Sequence, residues 1–322
     1  MFRVVIADNA FAPIGPEREI LSPQDFDVVF LSSTDEEEVI KHTRDADAII
    51  CDAAPITERV LANAPRVRVV SEYGIGYDNI DVAAASARGV WVANVPGFCV
   101  SEVADHTLAF LLALSRRIVP LNDGLCRGAW GPRSAGSITR LADQTLGLVG
   151  FGPIARAVAA RALPFGLRVA CWTPHTTAER VASFGAELVD LEELFRRSDY
   201  LSLHVPATAE TRGMVSRERL ALMKQTAYII NCGRGSLIDE PALVDALRDG
   251  QIAGAALDVF ATEPLPPTDP LLSRPNVIVT PHAAFYSEES LRDLQIRAAK
   301  NVAAVLAGGR PLSPVNNPRR LS

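Results

Sequence analysis

Three side chains in the last third of the chain combine types and placement that suit proton-coupled chemistry. Arg234, in AYIINCGRGSLIDEPALVDAL, follows a strand-like run and precedes a helix whose start is marked by Asp239 and Pro241. Glu263, in AALDVFATEPL, lies in the loop after a second such run. His282, in NVIVTPHAAFYSE, leaves a third: Asn276 to Thr280 is a short stretch dominated by Val and Ile and bounded by prolines, the pattern of a buried strand. Each alone has a bland reading: Arg234 as a surface residue at a helix start, Glu263 as a loop charge before Pro264, His282 as a strand cap. In an open parallel α/β sheet, however, ligands bind beyond the carboxyl ends of the strands, and all three residues fall at such ends. Together they suit hydride transfer at a carbon bearing oxygen, coupled to movement of the hydroxyl proton. An imidazole ordinarily titrates at about 6.5 and can exchange that proton near neutrality. A carboxylate beside it favours the imidazolium and orients the ring. A planar guanidinium holds a substrate carboxylate and polarises the adjacent carbonyl.

The elements needed to position these groups are written along the chain. The first hundred residues alternate strand-like runs (RVVIAD, DVVFL, AIICD, VRVVSE, VWVANV) with helix-like ones such as DEEEVIKHTRDA, the rhythm of βα units on a parallel sheet. The rhythm resumes at Gln144 and runs to about Thr280 (TLGLVGFG, LRVACW, YLSLHV, AYIINC, AGAALDV, NVIVTP), which predicts two α/β modules. Between them, SEVADHTLAFLLALSRRI (101–118) has Ser101 as an N-cap, acidic residues at its start and arginines at its end. Its broad apolar surface predicts a helix buried on several sides, between domains or subunits. After Thr280 comes a last helix-like run, ESLRDLQIRAAKNVAAVLAG, then a Pro-rich tail; a return of that helix to the first module makes its domain discontinuous in sequence.

TLGLVGFGPIARAVAARALPFGLRVACW places Gly150 and Gly152 where a strand turns into a helix, with Ala155 at the third small position. Glycine lets the turn close and the backbone approach a pyrophosphate, whose charge is favoured by the free N–H groups at the helix start. A strand–turn–helix–strand context makes this a dinucleotide site. The carboxylate that hydrogen-bonds the adenosine ribose in NAD-selective sites is missing: the position falls at Thr173, in CWTPHTTAER, with His175 and Arg180 nearby able to attract a 2′-phosphate. The cofactor is therefore NAD(H) or NADP(H).

The 322 residues allow about two domains, and 48% hydrophobic with 22% charged residues is an ordinary globular composition. A net charge of −6, with both signs interleaved, offers no basic face for nucleic acid. The apolar segment LAFLLAL is far too short for a bilayer span, and the N-terminus starts directly in a strand-like run, so no membrane partner and no export are expected. Five widely spaced cysteines (Cys51, Cys99, Cys126, Cys171, Cys232) read as reduced thiols of a cytoplasmic protein, without metal or disulfide duty.

The sequence resembles the D-isomer-specific 2-hydroxyacid dehydrogenases through YGIGYDNID (73–81), NVPGFCVSEVADHTLAFLLAL (94–114), GLVGFGPIARAVA (147–159), LSLHVPAT, NCGRGSLIDEPAL, AALDVFATEP and VTPHAAF, in the family's order. The resemblance implies two doubly wound parallel-sheet domains, Rossmann- or flavodoxin-like, with an active-site cleft between them: a substrate domain from 1–100 plus 286–322 and a dinucleotide-binding domain from 101–285. It implies catalytic roles for Arg234, Glu263 and His282 in interconverting a 2-keto acid and a D-2-hydroxy acid. It places Gly74, Ile75 and Gly76 at the substrate carboxylate, and Gly150, Gly152, Pro153, Ile154, Thr173, Val205, Pro206, Cys232, Gly233 and Asp258 at the cofactor. A homodimer formed through the nucleotide domain is likewise implied. PHAAFYSEESL and VPGFCVSEVADH look most like the C-terminal binding protein branch, which raises an alternative, a noncatalytic NAD(H)-sensing scaffold; the complete trio favours an enzyme. Two departures bear on substrate: Glu263 is not the Gln expected of a formate-oxidising member, and Cys99 stands where the family commonly has Asn. Tyr73, Phe285 and Tyr286 near these motifs, if they face substrate, suit an apolar or bulky 2-keto acid better than a phosphorylated one.

Overall fold

The computed structural model describes residues 1–8, 13–21 and 26–318, so the end of the Pro-rich tail lies outside the described residues. The chain divides into two compact units, Met1–Phe98 with Ser287–Ser322, and Cys99–Tyr286.

The first unit is a five-stranded parallel sheet of β1 (Phe2–Ile6), β2 (Phe26–Phe30), β3 (Ala48–Cys51), β4 (Val69–Glu72) and β5 (Trp91–Ala93), in the order β2-β1-β3-β4-β5. Residues of β3 and β4 are buried throughout; strands covered on both faces need no alternation, as the apolar run of β3 shows, whereas β4 buries Ser71 and Glu72 at its end. The connecting helices begin at side-chain caps, with Asp35 accepting from Glu38 N at 3.0 Å, Thr57 from Val60 N at 3.2 Å and Asp81 from Ala84 N at 2.8 Å. The final helix, Glu288–Leu306, packs on this sheet, with Leu294, Ala298 and Val302 in one core with Val4, Ile50 and Val69. Each fully buried Leu or Val there contributes roughly 1.5–3 kcal/mol. The helix starts in a reciprocal cap between Ser287 and Ser290, and at its far end Arg68 donates to the carbonyls of Val305 and Leu306.

The second unit is a seven-stranded parallel sheet of β6 (Thr145–Val149), β7 (Arg168–Trp172), β8 (Ala186–Leu188), β9 (Tyr200–Leu203), β10 (Tyr228–Asn231), β11 (Gly254–Leu257) and β12 (Val277–Val279). The order β12-β11-β10-β9-β6-β7-β8 reverses between β6 and β9, the switch point at which such sheets open a crevice beyond their strand ends. Arg234, Glu263 and His282 follow three adjacent strands, β10, β11 and β12, and the Gly150 turn follows β6.

The predicted 101–118 helix runs Val100–Ser115 and stops at Arg117, whose left-handed backbone (φ 56°) starts a second helix, Ile118–Cys126. Much of the first helix's apolar width is used inside its own unit. Leu108, Phe110, Leu111 and Leu114 share a core with Ala155, Val158 and Ala159 of the Pro153–Ala162 helix and with Ile230 and Ala256 of β10 and β11. The unclaimed apolar surface belongs instead to the second helix, which buries none of its residues, and to Trp130 beyond it, which is 89% exposed. Pro120 and Gly124 weaken the helical signal of that segment, so its sequence did not announce it.

Candidate active site

The turn after β6 has the shape a dinucleotide needs. Gly150 has φ +96°, and a Cβ there would meet His204 O at 2.5 Å and Val205 Cγ1 at 2.9 Å, so only glycine fits. Gly152 is the opposite case: nothing lies within 4 Å of its would-be Cβ, leaving backbone open to a ligand at the start of the Pro153–Ala162 helix. Ala155 is fully buried, which explains why the third small position accepts a methyl but little more. Gly150 N donates to Trp172 O at 2.8 Å, drawing the end of β7 alongside; Thr173 follows at once and its hydroxyl accepts weakly from His175 N at 3.4 Å. Ile154 and Val205 are half-buried, and Pro153 and Pro206 are exposed at the same strand ends, the Pro206 carbonyl accepting from Thr211 Oγ1 at 2.6 Å. These residues fit a bound dinucleotide: a closed turn that only glycine allows, an open glycine at a helix start, and apolar side chains around it.

Beyond β10 the buried Asn231 shapes the loop that carries Arg234. Its Oδ1 accepts from Gly233 N at 3.0 Å and its Nδ2 donates to Arg234 O at 2.9 Å. Arg234 donates to Gly233 O at 3.0 Å. Immediately afterwards, Gly235 presses against the loop beyond β11: a Cβ there would stand 1.9 Å from Phe260 C and 2.5 Å from Ala261 N. That backbone-to-backbone contact sets the Arg234 loop against the loop of Glu263. Cys232 and Asp258 are the first residues beyond β10 and β11. Burial pushes the Cys232 thiol up to about 12, the Thr107 hydrogen bond opposing and the Asp258 charge adding to that rise.

Glu263 and His282 form an ion pair, with His282 Nδ1 2.7 Å from Glu263 Oε2, while Glu263 Oε1 accepts from Phe260 N at 2.9 Å. Burial acts to raise the Glu263 pKa, but the His282 hydrogen bond, the Phe260 amide and the charges of His282 and Arg234 outweigh it and hold the carboxyl below its usual range. Glu263 is therefore a carboxylate at neutral pH, and the Nδ1 facing it carries a proton. His282 Nε2 remains free of that contact. His282 itself has φ +53°, a left-handed backbone that few non-glycine residues adopt.

In the first unit, Gly74, Ile75 and Gly76 follow β4. Their carbonyls turn inward, Gly74 O accepting from Val95 N at 2.8 Å and Ile75 O from Asn94 Nδ2 at 2.7 Å. Among the described residues, the N–H groups of all three donate to no protein partner. Successive unengaged amides of this kind form a concavity suited to an anion.

Cys99 is buried at the start of the Val100–Ser115 helix and makes no side-chain cap bond there. Its thiol is pushed up to about 12, mostly by burial and then by Glu102, with Arg234 opposing. Sequence reasoning missed Asn231, whose side chain braces its own loop, and Gly235, whose backbone meets a loop 25 residues away; the glycine of NCGRG was the available signal. Among the described residues, no His, Cys, Asp or Glu cluster could hold a metal ion, and no helix is long and apolar enough to cross a membrane.

A doubly wound sheet with this glycine turn defines a dinucleotide-binding domain. Residues 108–284 match the model of the D-isomer specific 2-hydroxyacid dehydrogenase NAD binding domain. Over 283 residues the chain is 41% identical to a glyoxylate reductase of Korarchaeum cryptofilum, covering 86% of this chain and 85% of that one. It is 40% identical to a D-3-phosphoglycerate dehydrogenase of Methanocaldococcus jannaschii over 284 residues, 88% of this chain but only 54% of that longer protein. The structure of an NADPH-dependent glyoxylate/hydroxypyruvate reductase from Sinorhizobium meliloti, in complex with NADP and malonate, superposes with a TM-score of 0.86 at 33% identity, covering 100% of this chain and 99% of that one. The chain belongs to the D-isomer-specific 2-hydroxyacid dehydrogenase family and is an NAD(P)-dependent oxidoreductase.

Proposed function

We propose that the chain reduces an unphosphorylated 2-keto acid to the D-2-hydroxy acid, and catalyses the reverse oxidation, with Arg234, Glu263 and His282 as its catalytic residues. The observation that carries this reading is the 2.7 Å His282–Glu263 pair beside Arg234, at adjacent strand ends of the nucleotide-binding sheet. The turn at Gly150 and Gly152, with Pro153, Ile154, Thr173, Val205, Pro206, Cys232, Gly233 and Asp258, would hold the dinucleotide, whose nicotinamide supplies or accepts the hydride. Arg234 binds the substrate carboxylate and polarises its carbonyl. His282 holds on Nε2 the proton delivered to the forming hydroxyl, and Glu263, accepting from Nδ1, keeps the ring aimed. The unengaged amides of Gly74, Ile75 and Gly76 suit a carboxylate group.

Support for a homodimer comes from the Ile118–Cys126 helix. Ile118 is 55% exposed and Leu125 54%, beside the 89% exposed Trp130, a grouping that marks an interaction face. The free cysteines, with Cys51, Cys99 and Cys171 buried, suit a reducing cytoplasm.

The test follows nicotinamide absorbance with a panel of 2-keto acids, using NADH and NADPH separately, for the parent and His282→Ala. Turnover of an unphosphorylated acid, reduced at least about 100-fold in the variant while nucleotide binding persists, is the expected outcome. Tight nucleotide binding with no turnover of any acid would identify a sensor rather than an enzyme.

A further inference from the structure

The turn 280–284 that carries His282 is gripped by one buried carboxylate. Asp258 is 1% exposed and closes β11. Its Oδ1 accepts from Thr280 Oγ1 at 2.5 Å and from Ala283 N at 2.8 Å, its Oδ2 accepts from Ala284 N at 2.9 Å, and its backbone carbonyl accepts from His282 N at 2.8 Å. Thr280 is engaged a second time: His106 Nε2, from the Val100–Ser115 helix, lies 3.0 Å from the same hydroxyl. A hydroxyl has one proton to give. With that proton directed at Asp258, His106 must donate from Nε2, so the chain of bonds runs His106 to Thr280 to Asp258. His106 is held in turn edge-on to Phe110, at 4.5 Å between ring centroids.

The clasp surrounds a backbone that does not hold its shape unaided. A left-handed conformation at a non-glycine residue costs on the order of 1 kcal/mol and persists when its surroundings over-determine it. His282 sits at φ +53° between Thr280, Ala283 and Ala284, all bonded to Asp258. We infer that His106, Thr280 and Asp258 are positioning residues that fix the His282 imidazole at Glu263, and that Thr280 is the link through which the Val100–Ser115 helix reaches the proton donor. This inference rests on the proposed role of His282.

Thr280→Val and Thr280→Ser separate the hydroxyl from its volume. Valine keeps the shape and loses both bonds; serine keeps both bonds and loses a methyl. We expect Thr280→Val to lower kcat for keto-acid reduction about 10-fold or more, with KM and NAD(P)H affinity within about 3-fold of the parent and Thr280→Ser close to the parent. His106→Phe, which retains the ring against Phe110, should lower kcat in the same direction by a smaller factor. Circular dichroism and nucleotide fluorescence titration on every variant show whether fold and cofactor site are intact. Equal kcat in the parent and Thr280→Val, or a larger loss in serine than in valine, would overturn the clasp; if Thr280→Val does not fold, an unchanged kcat in His106→Phe overturns it. His282→Ala distinguishes the two failures: full turnover without the imidazole sinks the proton-donor reading, whereas its loss with unaffected Thr280 and His106 variants sinks the clasp alone.

Discussion

Replacing Glu263 by Gln removes one charge and almost no volume, and the structure dictates how the amide must sit. Phe260 N needs the acceptor it now finds at 2.9 Å, so the Gln oxygen goes there and its NH2 turns to His282 Nδ1. An NH2 requires Nδ1 to accept, which favours the neutral ring with its proton on Nε2 and opposes the imidazolium. The lost attraction can be bounded. Charges centred about 4 Å apart interact by roughly 1 kcal/mol in water and roughly 4 kcal/mol near a protein surface. The side chains of His282 and Glu263 are 43% and 35% exposed, so the lower end applies. A loss of about 1.4 kcal/mol corresponds to a shift of about one pH unit. The pH at which reduction falls off should therefore move down by about one unit, with kcat/KM near pH 8 about 10-fold lower and a much smaller loss near pH 5. The assay is a kcat/KM profile for keto-acid reduction from pH 5 to 9 with saturating reduced cofactor. An equal loss at every pH would show that Glu263 only holds the ring in place; an unchanged profile would show that the pair is irrelevant to the chemistry. In the parent, the sign for Glu263 itself is the opposite: its depressed pKa contributes stability above the ordinary carboxyl value of about 4.3 and loses it as pH falls through the lower folded value, so the carboxylate stays charged throughout this range.

Three further outcomes are expected. Gly150→Ala places a methyl 2.5 Å from His204 O on a backbone of φ +96°, so isothermal titration should find NAD(P)H affinity reduced at least about 100-fold, with a fall in melting temperature; affinity near that of the parent would remove the turn from the cofactor site. Thr173→Asp adds a carboxylate after β7, where none occurs from 173 to 178, and should shift the NADH/NADPH affinity ratio towards NADH by about 10-fold or more, read by fluorescence titration; an unmoved ratio would place the ribose elsewhere. Ile118→Glu combined with Trp130→Glu puts like charges on the exposed apolar residues of the Ile118–Cys126 helix and the segment after it, and should convert a dimer to a monomer by light scattering; an unchanged mass would locate the interface on another surface.

The parallel sheets were legible because buried strands leave short runs without polar alternation, as in Ala48–Cys51 (AIIC) and Thr145–Val149 (TLGLV). The positions of Arg234, Glu263 and His282 beyond strand ends were legible for the same reason, since Arg234 and His282 come three residues after such a run and Glu263 lies in the loop beyond one. What could not be read was the fit between loops. Nothing in NCGRG or DVFATEP says that Gly235 meets Phe260, because that contact is made by backbone atoms, which every residue carries alike. Nor did the 101–118 pattern show where its helix would break, since Arg117 adopts its left-handed conformation without a glycine to mark it. The helix that follows, with Pro120 and Gly124 inside it, contradicts local propensity, and none of its residues is buried.

The contact at Gly235 also limits how this site can be recombined. With Phe260 C only 1.9 Å from where a side chain would begin, the two loops meet through backbone atoms, which cannot be adapted one residue at a time. The segments 231–240 and 258–264 form a single unit of exchange. A chimera that imports one of them from a relative inherits a mismatch at the backbone even when every catalytic side chain is the same, whereas one that imports both carries its own fit with it.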